Sequence, residues 1–261
     1  MKDLIYSRES GQIQSECYKV EEDGKVFLEK HLLYTSNKDL NEIKSEINIQ
    51  KAASDKCKNI PKILKAYKDP SGQNEFIVQM EYIDGQTLRD RMDKGLSKYN
   101  ALVIFSQLCL ILNNFPIPHK DLKPENIIIS KDKNKIYLID FGSAAQLCVY
   151  GTGTRGYQSP EQRDVRYRGD SKLSDTFTLG LILYEMINKE KLVLTEEELR
   201  NGKWDKPPIL HSKFTDVSNE IFQKMVAINP KDRPRRVKDC MEIASDKDKF
   251  SNRHRFGGNN K

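Results

Sequence analysis

Long apolar runs are missing from this 261-residue chain. No stretch approaches the roughly 18 consecutive apolar residues that a membrane-spanning helix requires, so no membrane span is expected. Cysteine is scarce as well. Cys17, Cys57, Cys109, Cys148 and Cys240 are odd in number and scattered, with no C-x-x-C pair. That argues against a disulfide framework or a zinc site and favours a reducing, cytoplasmic setting. The opening MKDLIYSRESGQ lacks the apolar stretch of a secretory leader and breaks into charge at once. Charge of one sign is not in large excess either. The 44 Lys and Arg against 38 Asp and Glu leave +6, with the two signs interleaved almost everywhere. The one basic cluster, Arg253-His254-Arg255, falls in a polar tail, so no specific nucleic-acid partner is expected.

What is present suffices for a buried core. Hydrophobic residues make up 37% and charged residues 31%, which excludes a disordered chain. The length fits one large domain or two packed lobes. In the first third, Val26-Phe27-Leu28 after Glu22-Asp23-Gly24 reads as a turn and a strand. Asp39 to about Ala53 carries Leu40, Ile43, Ile47 and Ile49 between charges, an amphipathic helix. Phe76-Ile77-Val78 reads as a buried strand running into Glu81-Tyr82-Ile83-Asp84-Gly85. Helical stripes follow at 101–112 and 219–228, and Thr176 to Ile187 is apolar nearly all round, as a central buried helix would be. The layout is α+β: a strand-rich lobe over 1–83, a larger helical lobe over 84–244, and a polar, disordered tail over 245–261.

Chemistry concentrates in His119-Lys120-Asp121-Leu122-Lys123-Pro124-Glu125-Asn126 and in Asp140-Phe141-Gly142. Phosphoryl transfer from ATP needs metal ions on the phosphates, a carboxylate to orient the attacking hydroxyl, and cations to absorb developing charge. An Asp with an Asn five residues later can hold a hydroxyl and a metal side by side. A further Asp at a strand end, given backbone freedom by Gly142, can grip a second metal. Ile127-Ile128-Ile129 and Ile136-Tyr137-Leu138-Ile139 flank a polar turn, which puts both clusters at the ends of one hairpin.

With these motifs the chain resembles the eukaryotic-like serine/threonine protein kinases, over about residues 5 to 243. Glu81-Tyr82-Ile83-Asp84-Gly85-Gln86-Thr87-Leu88-Arg89-Asp90 and Tyr157-Gln158-Ser159-Pro160-Glu161-Gln162 are similar to bacterial members in particular. The resemblance implies a bilobal fold, ATP and Mg²⁺ as cofactors, and a protein substrate. Asp121 is then the residue that orients the hydroxyl, with Lys123 on the transferring phosphoryl group and Asn126 and Asp140 on Mg²⁺. Strand alternation puts Leu28 and Lys30 on one face, so Lys30 should reach the nucleotide. Glu46 is its expected partner, and Glu42, one turn earlier, is the alternative. The linker should offer the Glu81 C=O and the Ile83 N–H to adenine, with Met80 behind and Leu28 as a tight roof. Gly153 to Glu161 resembles the end of an activation segment, with Ser159 where alanine is usual and Glu161 expected to pair with Arg233. Thr154 is implied to bond near Asp121 and Lys123. Thr152, between two glycines, is the expected exposed acceptor for self-phosphorylation. Glu125 is a candidate selector of a basic residue upstream of the target hydroxyl.

The pattern departs in two places. In register with Lys30, Ser10-Gly11-Gln12-Ile13-Gln14-Ser15-Glu16-Cys17 stands where kinases carry a glycine-rich phosphate loop, and Gly11 is one place off. Fewer amides can then approach phosphate, which bears on ATP affinity. Lys120 replaces the common arginine before the catalytic Asp and cannot make a bidentate clamp on a phosphorylated loop. The glycine-poor loop leaves room for a pseudokinase that binds nucleotide and scaffolds. A small-molecule phosphotransferase shares the two carboxylates but not the Ser159-Pro160-Glu161 segment.

Overall fold

The computed structural model describes residues 1–10, 13–115, 117–132, 134–144, 149–167 and 171–250. The chain divides into two compact units. The first takes in Met1–Gln86, Phe115–Ile117 and Asn126–Leu147; the second takes in Thr87–Asn114, Pro118–Glu125 and Cys148–Lys261.

The first unit is built on five antiparallel strands, β1 (Lys2–Ser10), β2 (Ile13–Glu22), β3 (Lys25–Leu33), β4 (Ile63–Lys68) and β5 (Glu75–Glu81), in the order β1-β2-β3-β5-β4. Helix α1 (Asn37–Lys56) packs Leu40, Ile43 and Ile47 against Leu32, Phe76, Val78 and Met80. Burying an aliphatic side chain of this size contributes about 1.5–3 kcal/mol, so this face fixes the helix on the sheet. The helix begins two residues before the Asp39 expected from periodicity. Ser36 caps it: its hydroxyl accepts from the Asp39 N–H (3.1 Å), and the Asp39 carboxylate accepts from the Ser36 N–H (2.9 Å). A second sheet joins β6 (Gly85–Thr87), β7 (Ile127–Ser130) and β8 (Ile136–Leu138). The β7–β8 hairpin pairs Ile127 with Leu138, as the two isoleucine-rich runs suggest.

The second unit is helical: α2 (Leu88–Asp93), α3 (Lys98–Asn114), α4 (Pro160–Arg163), α5 (Ser171–Asn188), α6 (Glu196–Asn201) and α7 (Asp216–Met225). Phe177, Ile182, Leu183, Met186 and Ile187 of α5 are all fully buried, which accounts for its nearly uniform apolar character. A 3₁₀ segment, Val237–Phe250, packs on α3 and α7. The polar stretch expected to be disordered from residue 245 is therefore structured through Phe250. Asp246 is buried and accepts from the Thr215 N–H (3.0 Å) and the Ser218 hydroxyl (2.7 Å), while Phe250 packs on Phe214. Residues 251–261 lie outside the described residues. Among the described residues, Cys17, Cys57, Cys109 and Cys240 are free, and no helix is long and apolar enough to cross a membrane.

Candidate active site

In the first unit, strand alternation and helix phase bring Lys30 and Glu46 together. Lys30 Nζ donates to Glu46 Oε1 at 3.0 Å, while the alternative Glu42 lies exposed, 4.0 Å from Lys38. Asp140 belongs to the same cluster. A side chain begun at Gly142 would meet Glu46 Oε2 at 3.4 Å and Asp140 Oδ1 at 3.6 Å. Burial opposes the charge on Lys30, but Glu46 and then Asp140 outweigh it and hold its ammonium above the ordinary lysine value. Cys17 faces Lys30 across β2 and β3, and burial raises its thiol despite the neighbouring cation.

The Ile139 N–H donates to the Asn126 carbonyl at 3.1 Å, so the chain entering Asp140 runs beside Asn126. An amide oxygen and a carboxylate are hard donors of the kind Mg²⁺ accepts, and Mg²⁺ commonly takes only one or two protein carboxylates and completes its shell with water and phosphate. The residue types therefore fit that ion. The backbone freedom expected of Gly142 lies elsewhere. Gly142 is outside the left-handed region, whereas Asp140 itself sits at φ 66°. A non-glycine residue there stores about 1–3 kcal/mol, a common device at functional sites.

Leu28 pairs with the buried Met80 in the register of β3 and β5, and Glu81 ends β5 with half-buried Ile83 two residues on. β1 and β2 stay paired as far as Ser10 and Ile13. Gly11 itself lies outside the described residues.

In the second unit, Thr154 joins Asp121 and Lys123. Its hydroxyl donates to Asp121 Oδ1 at 2.7 Å and accepts from Lys123 Nζ at 2.8 Å, and Lys123 lies 3.3 Å from Asp121 Oδ2. The loop behind them is pinned by Asp175, whose carboxylate accepts the His119 N–H (2.7 Å) and the Lys120 N–H (2.9 Å). Burial pushes the Asp175 carboxyl up, against the pull of His119 and these amides. Lys120 is buried and left-handed at φ 65°, so it stands inside the loop rather than as a surface clamp. Glu161 and Arg233 form the expected fork, at 2.7 and 3.0 Å, with Arg233 over the Phe177 ring.

Thr152 contradicts its expectation. It is only 2% exposed; its hydroxyl donates to the Val149 carbonyl (2.6 Å) and accepts from Gln162 Nε2 (3.0 Å). In this conformation it is a structural residue, not a surface acceptor. Of the described hydroxyl-bearing residues in the segment, Tyr150 is the exposed one. Gln162 escaped sequence reasoning. It also donates to the Lys120 carbonyl (2.7 Å) and accepts the Ser159 N–H (2.9 Å), tying segment to catalytic loop. Gly153 is required beside it, because at φ 81° an added Cβ would lie 2.7 Å from Gln162 Nε2 and 2.8 Å from the Lys120 carbonyl oxygen. Ser159 is fully buried, and its hydroxyl bonds to that of Ser174 at 2.8 Å, a partner that answers the departure from alanine. Glu125 is taken up by Arg89 at 2.9 Å.

Known proteins give the same picture. A family model described as "Protein kinase domain" matches residues 10–245. Serine/threonine-protein kinase PknB of Mycolicibacterium smegmatis is 32% identical over 203 residues, and PknB of Mycobacterium tuberculosis is 35% identical over 203 residues. Each alignment takes in 67% of this chain and 31% of the relative. Serine/threonine-protein kinase cds1 of Schizosaccharomyces pombe is 27% identical over 227 residues, 78% of this chain and 48% of the relative. The chain thus spans less than half the length of these relatives. A family match across nearly its whole length, on a strand-rich unit carrying Lys30, Glu46 and Asp140 and a helical unit carrying Asp121, Lys123 and Thr154, places the chain in the protein kinase domain family.

Proposed function

We propose that the chain transfers the γ-phosphoryl group of ATP to serine or threonine hydroxyls of protein substrates. The observation that carries this reading is the threonine hydroxyl held jointly by Asp121 and Lys123. An acceptor hydroxyl needs the same two partners: a carboxylate to receive its proton and a cation to absorb charge on the group it attacks. Asp121 orients the acceptor and takes its proton. Lys123 stabilises the transferring phosphoryl group. Lys30, fixed by Glu46, would hold the ATP phosphates, and Glu81, Ile83, Leu28 and Met80 are the residues that would hold adenine. Asn126 and Asp140 would hold Mg²⁺, which would supply charge neutralisation on the phosphates. The activation segment is kept in place by neutral hydrogen bonds through Gln162 and Thr152, so activity does not depend on phosphorylating Thr152.

One observation favours a second reading, a nucleotide-binding scaffold without transfer: strand pairing up to Ser10 and Ile13 leaves few amides for phosphate. The two readings separate in one experiment. The chain is incubated with γ-labelled ATP, Mg²⁺ and a mixed protein substrate, and nucleotide-induced Tm shifts are measured in parallel. The kinase reading expects label on serine or threonine; a Tm shift with no label anywhere supports the scaffold.

A further inference from the structure

Glu125 follows the catalytic pair directly in sequence, two residues after Lys123, and its side chain is 45% exposed. A carboxylate there is open to a basic substrate residue, yet it already has a cation. Arg89, in the first turn of α2, donates through Nε to Glu125 Oε1 at 2.9 Å. Its Nη1 donates to Glu185 Oε1 at 2.9 Å and its Nη2 to the Tyr157 hydroxyl at 2.6 Å. Tyr157 in turn donates to Glu185 Oε2 at 2.5 Å. Tyr157 lies three residues beyond Thr154, the residue bonded to Asp121, so the cluster flanks the hydroxyl-holding pair along both chain segments.

All three nitrogens of the guanidinium are engaged by two carboxylates and a phenol, the arrangement a substrate arginine would seek. Glu185 is buried, and the phenol beside it is held well above the ordinary tyrosine value by burial and by that carboxylate. Taking Arg89 away would leave Glu125 and the buried Glu185, with exposed Asp93 at 3.9 Å from the same guanidinium, without that partner. Such a site gains most from a replacement cation.

We propose that Arg89 is a specificity-determining residue: its guanidinium fills, from within the chain, an acidic subsite built by Glu125, Glu185 and Tyr157, and withholds that subsite from arginine side chains of the substrate. The inference rests on the protein kinase reading above. It reverses the role expected of Glu125, which is spoken for and does not select basic substrates while Arg89 is in place.

The test uses serine peptides in which arginine replaces alanine in turn at each position flanking the acceptor, read as the Arg-to-Ala ratio of kcat/KM. For the wild type, Glu125→Gln should leave that ratio unchanged at every position. For Arg89→Ala, the ratio should rise about tenfold at one or two positions, the scale of a charge-assisted hydrogen bond, and the gain should vanish in Arg89→Ala/Glu125→Gln. A wild-type preference for arginine that Glu125→Gln abolishes overturns the proposal. So does an Arg89→Ala protein with no new preference. Arg89→Gln, which keeps a polar side chain in the cluster, is read in the same way should the alanine variant fail to fold. A second readout is independent of turnover: anisotropy of dye-labelled peptides should show the arginine peptide binding Arg89→Ala about tenfold more tightly than the alanine peptide. Equal binding overturns the inference. Absence of transfer from every variant would count against the kinase reading alone.

Discussion

In the proposed reaction Lys30 and Asp121 are the charged groups on which each unit's part turns, and their surroundings differ. Lys30 is held by opposite charge, with Glu46 at 3.0 Å and Asp140 acting on it within the same cluster. Asp121 also has an opposite charge beside it, Lys123 at 3.3 Å, but is held in addition by a scaffold of hydrogen bonds: Thr154 on its carboxylate, and Asp175 and Gln162 on the backbone of His119 and Lys120. An ion-paired lysine at a half-buried site tolerates small displacement, because Coulomb attraction falls off slowly with distance. A hydrogen-bonded scaffold does not, because its geometry is directional. The first unit should therefore govern how tightly nucleotide is held, and the second how fast a bound hydroxyl reacts.

Asp140→Asn tests the weakest point of that division, since Asp140 lies in the first unit but is proposed to serve the reaction. Losing the carboxylate proposed to hold Mg²⁺ should cut transfer by at least about a thousandfold with little change in Tm. Near wild-type turnover would break the assignment. Thr154→Ala should come next. It leaves Asp121 and Lys123 without their shared partner, and kcat should fall about a hundredfold while KM for ATP stays close to wild type. A change in KM alone would put Thr154 on the nucleotide side. Glu46→Gln should do the reverse, raising KM for ATP about tenfold with a smaller loss in kcat, because a neutral amide no longer answers the Lys30 ammonium. The smallest effect is expected at Ser159. Ser159→Ala strands the buried Ser174 hydroxyl and should lower stability by about 1 kcal/mol in urea unfolding, and adding Ser174→Ala should recover part of it.

The same contrast marks what was legible in the sequence. Lys30 follows from period-two alternation on a strand, and Glu46 from helical phase; both rules are local. The α1 start at Asn37 also had a local signal, since Ser36 and Asp39 form a capping box that periodicity alone passes over. Asp121, Asn126 and Asp140 stand out as candidates because the spacing of their motifs is itself the signal. The glycines flanking Thr152 suggest exposure, whereas its burial depends on Gln162, ten residues on, folding back over it. Ser159 with Ser174 and Arg89 with Glu185 are non-local in the same sense: polar residues whose partners lie 15 and 96 positions away. The order beyond residue 245 has the same origin, since Asp246 looks solvated until Thr215 and Ser218 are brought to it.

The most direct test compares wild type with Asp121→Asn, following label from γ-labelled ATP onto a serine-containing protein and the Tm shift induced by ATP with Mg²⁺. Equal Tm shifts with label transferred by the wild type only would bear out a second unit that sets the reaction and a first that holds the nucleotide. An Asp121→Asn protein that labels as fast as wild type, or one whose ATP-induced shift is lost along with transfer, would contradict that division.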